Sequence, residues 1–73
     1  MTFNIAVGVK YRIKYRGETF LVDIQRAEGG TVNFTLTIEP VEFHEPRHGS
    51  YTVANFTAFL SSYEVTEVTN ENI

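Results

Sequence analysis

The sequence predicts a small all-β domain, with five short strands closing into a barrel around one apolar core. Three observations lead there. Phe3, Ile5, Val7, Val9, Tyr11, Ile13 and Tyr15 share one parity along the first fifteen positions. The same alternation returns in residues 19–27 and 31–38, with glycine-containing turns between the runs. Period two puts the two parities on opposite faces of a strand, one buried and one wet. Finally, the 73-residue chain has no Cys but has six Phe and four Tyr. Its stability must then come from an aromatic-rich core or from self-association.

The first predicted strand covers residues 3–15 and is long enough to need a bend, which Gly8 permits. Gly17-Glu18 follows as a two-residue turn of type II′, with Gly at its first central position. That loop sets Tyr15 opposite Phe20, Ile13 opposite Val22 and Tyr11 opposite Ile24, and pairs Arg12 with Asp23 and Lys10 with Gln25. The second strand, 19–27, turns at Glu28-Gly29-Gly30. A two-residue Gly-Gly loop would put the apolar faces out of phase. A three-residue loop with a left-handed glycine restores the phase and pairs Ile24 with Phe34, Val22 with Leu36 and Phe20 with Ile38. The third strand is 31–38. Two prolines and a glycine make 39–50 a long irregular loop, with a short edge segment at 41–44 as its one regular option. A strand at 51–54, one or two helical turns near 56–61 and a last strand at 63–68 complete one domain over residues 1–68. Residues 69–73 read as a frayed tail.

The run Phe59-Leu60-Ser61-Ser62-Tyr63-Glu64-Val65 weakly resembles the helical turn and closing strand of SH3-like and Sm-like barrels. The resemblance implies a five-stranded SH3-like barrel with a short helical turn before the last strand, and an OB-like barrel is the second choice. It is a likeness of fold, and fold alone does not give function.

Net charge is −3, unevenly distributed. Residues 1–38 carry five Lys and Arg against three acids, whereas 39–73 carry Arg47 against six Glu. An overall acidic chain is not a general nucleic-acid coat, but a local basic face is compatible with it. Lys10, Arg12, Lys14 and Arg16 supply one. At period two they stand about 7 Å apart, close to the phosphate spacing of a single strand. Gln25, Asn33, Thr35 and Thr37 lie on the same face and can hydrogen-bond to a polynucleotide. The bland alternative is that these cations guard a strand edge against aggregation.

A second candidate is the loop, where Phe43 stands among Glu42, Glu45 and Arg47. An aromatic among charges can anchor a protein interface, or it can fold back over the end of a barrel. The same loop contains His44-Glu45-Pro46-Arg47-His48, which matches the zinc-protease pattern His-Glu-x-x-His. That pattern needs a helix, and Pro46 and Gly49 work against one. No zinc, other cofactor or peptidase activity is expected. No serine has a partnering His and acid at strand or helix spacing, so no nucleophile is assigned.

The expected function is therefore non-enzymatic. The chain reads as a binding module that contacts nucleic acid, or a nucleic-acid-processing complex, through Lys10, Arg12, Lys14, Arg16, Gln25 and Asn33. The alternative is a protein-interaction domain, or a small inhibitor of the mobile-element type, acting through Phe43, Glu42, Glu45, Arg47 and the acidic half. No apolar run has the length of a membrane span. A cytoplasmic monomer or small homo-oligomer with no membrane partner is expected.

Overall fold

The computed structural model describes residues 3–68, so the tail expected at 69–73 lies outside the described residues. Five strands form one sheet: β1 Lys10–Tyr15, β2 Glu18–Glu28, β3 Thr31–Ile38, β4 Arg47–Thr52 and β5 Glu64–Val68. Their order is β4-β3-β2-β1-β5, and every neighbouring pair is antiparallel. The helix α1 Val53–Ser61 joins the two outer strands, and a 3₁₀ turn Val41–Phe43 precedes β4. The described residues are mostly strand, as the alternation predicts. The sheet does not close, however, and the barrel expectation, SH3-like or OB-like, is corrected to an open sheet with a helix on one face. The physical reason is α1. It packs against β3, β4 and β5, with Phe56 and Leu60 fully buried, and so covers the core between the two edges.

The helix is longer than the one or two turns expected at 56–61, because Thr52 caps it early. The Thr52 hydroxyl accepts a 3.1 Å hydrogen bond from the Asn55 N–H, which satisfies a donor that the first turn leaves free. The strand expected at 51–54 ends there, and its start moves back to Arg47 within the predicted loop.

Both predicted hairpins form with different turns. The first loop is Arg16-Gly17 rather than Gly17-Glu18. Both residues have positive φ, 52° and 81°, the signature of a type I′ turn, whose twist matches the flanking strands. The register moves by two residues, giving Tyr11↔Val22, Ile13↔Phe20, Arg12↔Leu21 and Lys10↔Asp23. A shift of two preserves parity, so the predicted buried face survives. In the second hairpin the pairs Ile24↔Phe34, Val22↔Leu36 and Phe20↔Ile38 form as predicted. The expected three-residue loop does not, since Glu28 pairs with Thr31 around Gly29-Gly30. The phase is restored instead by a bulge in β2 between Ile24 and Arg26.

Residues 3–9 are not strand. Gly8, at φ 90°, donates to the Ile24 carbonyl, and the Ile24 N–H returns to Val9 O, both at 3.0 Å. This is a glycine bulge that turns the chain off the ladder. The segment folds back onto the core, where Phe3, Ile5 and Val9 pack. Tyr11 fastens it. Its hydroxyl donates to Asn4 O at 2.8 Å and accepts from Asn4 N–H at 2.7 Å.

The core consists of Tyr11, Ile13, Val22, Ile24, Val32, Phe34, Phe56 and Leu60. Phe34 is its hub, with ring centroids 5.1 Å from Phe56, 5.6 Å from Tyr51 and 6.0 Å from Phe59. It pairs with Gly49 on β4. A Cβ built on Gly49 would collide with Phe34 Cζ and stand 2.8 Å from Cε2. Gly49→Ala should therefore cost about 1–3 kcal/mol through overpacking, read as a lower urea midpoint at unchanged m-value.

Burial raises the Tyr11 pKa, with Glu67 adding a smaller push in the same direction against the Asn4 hydrogen bond. The folded protein thus holds this proton more tightly than the unfolded chain. The contribution is complete below the ordinary tyrosine pKa near 10 and is lost as pH rises past it. Urea midpoints measured from pH 8 upward should fall above about pH 10, and the fall should be shallower in Tyr11→Phe.

Candidate interaction surface

The even positions of β1 carry Lys10, Arg12 and Lys14 on the face away from the core, as alternation predicts. Acids engage the first two. Lys10 Nζ lies 3.8 Å from Asp23 Oδ2. Arg12 reaches beyond β2 to Glu39, just past the end of β3, and binds it through Nε at 2.8 Å and through the second guanidinium nitrogen at 3.2 Å. That two-pronged bond, and then the carboxylate charge, raise the Arg12 pKa above its ordinary value. Lys14 stands opposite Glu64 of β5 in the ladder, with no ion pair among the described residues. Arg16 leaves the row for the turn, where its Cζ sits 5.3 Å from the centre of the Tyr15 ring.

The other two predicted nucleic-acid contacts lie elsewhere. Gln25 is at the bulge, and Asn33 accepts a 2.9 Å hydrogen bond from the Ser50 hydroxyl. Together with His48 they line a shallow cleft beside Phe34 and Gly49. Lys14 and Arg16 border a separate cleft at the first hairpin turn. The six residues therefore do not form one basic patch.

The loop between β3 and β4 is built differently. Glu39 N–H donates to Thr19 O at 2.9 Å, while its carboxylate is held by Arg12. Phe43 N–H donates to Pro40 O at 3.2 Å, and His44 N–H to Val41 O at 3.3 Å. The His44 Nδ1–H donates to Pro40 O at 3.0 Å. Arg47 then enters the ladder opposite Leu36. A loop pinned at both ends thus projects Phe43, which is 77% exposed. It does not fold back over the core. Glu42 and Glu45 flank it, exposed and without an ion pair among the described residues. His44 is extended after the 3₁₀ turn and His48 lies in β4. The helical geometry that His-Glu-x-x-His requires is absent from this segment.

Beside the loop the sandwich of sheet and helix is open. Ile13, Tyr15, Phe20, Leu36, Phe59 and Tyr63 line an apolar groove of roughly 100 Å³. Phe20 and Leu36 also wall the next cleft, with Ile38, Glu45 and Arg47. Tyr15 and Tyr63 meet edge to face at 5.4 Å, and Tyr63 meets Phe59 at 5.6 Å. These groove residues were not among the sequence candidates. Strand parity marks Ile13, Tyr15, Phe20 and Leu36 as core, and helical spacing does the same for Phe59 and Tyr63; the one available signal is position, since Tyr15 and Phe20 flank a turn at the sheet's end.

Compared with family models, curated proteins and solved structures, the chain matches none of them. Among the described residues no helix is long and apolar enough to cross a membrane.

Four phosphate contacts would give a slope of log affinity against log salt near −3 for single strands. With Lys10 and Arg12 engaged by acids, fluorescence anisotropy with a labelled single strand should give a slope no steeper than about −1.5, the value for Lys14 and Arg16 alone. A slope near −3 would mean that all four cations reach phosphate.

Proposed function

We propose that this chain is a non-catalytic protein-interaction module that engages its partner through the Phe43 loop and the adjoining apolar end of the sheet. The observation that carries this reading is the 77% exposure of Phe43 on a loop fixed by several hydrogen bonds. Burying a Phe side chain is worth about 1.5–3 kcal/mol, and a loop already ordered in the free molecule loses little entropy on docking. Glu42 and Glu45 beside it favour a partner surface with an apolar pocket and basic rim.

The nucleic-acid reading stands second. It is favoured by Lys14 and Arg16, which have no ion pair among the described residues. It is weakened by the acids that engage Lys10 and Arg12.

Pull-down of the tagged chain from its native lysate after nuclease treatment separates the two. The proposal expects a partner that survives nuclease and is lost with Phe43→Ala, while the variant's stability stays within about 0.5 kcal/mol of the parent, as for other exposed sites. Capture that disappears with nuclease and ignores Phe43→Ala would overturn it.

A further inference from the structure

Two features of one end of the molecule complement each other. Phe43 projects from its loop without filling any of the neighbouring grooves. The groove of Ile13, Tyr15, Phe20, Leu36, Phe59 and Tyr63 is open and strongly apolar. Both lie where β1 and β3 end and where β2, β4 and β5 begin, and the Phe20–Leu36 wall continues into the cleft that the loop borders. The knob is flanked by Glu42 and Glu45. Arg16, seated on Tyr15, stands at the rim of the groove, and Arg47 shares the adjoining cleft with Glu45. None of these four has an ion-pair partner among the described residues.

We propose that the groove takes Phe43 of a second copy of this chain, in a two-fold dimer in which each copy supplies one knob and one groove. A knob and its groove on a single patch can be satisfied twice over by a two-fold axis, which closes the assembly at two. In such a dimer Glu42 of each copy is to meet the unpaired cations at the other's groove, Arg16 and Arg47. The inference rests on the reading of Phe43 as an interface anchor and names its partner.

The sequence contains no Trp, so Phe43→Trp installs a single indole at the contact. A small contact of this kind falls in the micromolar to millimolar range, so the chain is titrated from about 1 μM to about 1 mM. The indole emission should shift to the blue over that range, in step with a doubling of mass in sedimentation of the unsubstituted chain. Phe43→Ser should weaken the dimer at least tenfold with an unchanged urea midpoint. Glu42→Arg and Arg47→Glu should each weaken it, and the two together should recover part of the loss. A chain that stays monomeric to about 1 mM, or one whose dimer is indifferent to Phe43→Ser, overturns the self-docking. A monomer that still captures a protein in a Phe43-dependent way leaves the anchor reading standing, so the two failures are distinct.

Discussion

The contact on which most of this structure depends is Phe34 lying over Gly49. Phe34 is on the central run of β3, and its ring occupies the space that a side chain at position 49 would take. That allows β4 to pair with β3 while the ring remains free to meet Phe56 and Phe59 on the helix. Without the glycine, β4 or the ring would have to move, and α1 would lose the aromatic surface it packs on. The helix in turn separates β4 from β5. A single small residue thus bears on the edge strand, on the seat of the helix and on the openness of the sheet.

That openness decides where function can sit. A closed barrel would have buried the inward face along its whole length. Here the inward face is covered by α1 and by residues 3–9, and one end remains uncovered, lined by Tyr15, Phe20, Leu36, Phe59 and Tyr63. The outward face is the opposite case. Leu21 and Thr37 lie there, Thr37 buried, in the row that starts from Arg12. The charges above them, Lys10 with Asp23 and Arg12 with Glu39, are paired within the fold. Exposed pairs of this kind contribute little to stability, of order 0–1 kcal/mol. Their effect is that two cations which looked available are occupied.

Parity was the readable part of the sequence. A shift of register by two leaves every side chain on its face, so the faces of β1 and β2 could be right while the turn was wrong. Arg16 at positive φ was not readable, because a non-glycine residue in the left-handed region runs against local preference. The phase argument against a Gly29-Gly30 turn holds only for an unbroken β2, and the bulge between Ile24 and Arg26 breaks it. A bulge at Gln25 has no sequence mark beyond the phase mismatch itself. The Arg12–Glu39 pair was hidden for another reason. It joins residues 27 positions apart, and it exists only because β3 ends beside Thr19. Phe43 was legible as an oddity, an aromatic between two Glu residues, but its exposure was not. Whether such a residue tucks in or projects depends on the path of a proline-containing loop.

Phe43 therefore carries the functional argument further than the basic strand does. Two of the three cations on β1, Lys10 and Arg12, have an explanation in the fold itself, because acids engage them. The exposed ring has none. It makes no aromatic pair within 3–68, and the loop's hydrogen bonds are made by its backbone, by His44 and by Glu39 rather than by the ring. Replacing it with a polar residue would leave those bonds in place. On the proposed reading, this large apolar group, held outward by contacts that do not need it, joins the open apolar end of the sheet as one binding surface. The Arg12–Glu39 bridge, which takes one cation from a nucleic-acid face, has a positive role in this view. It fixes the base of the loop from which the ring projects, and so ties the sequence's most regular feature, the alternating strand, to the segment that breaks its rhythm.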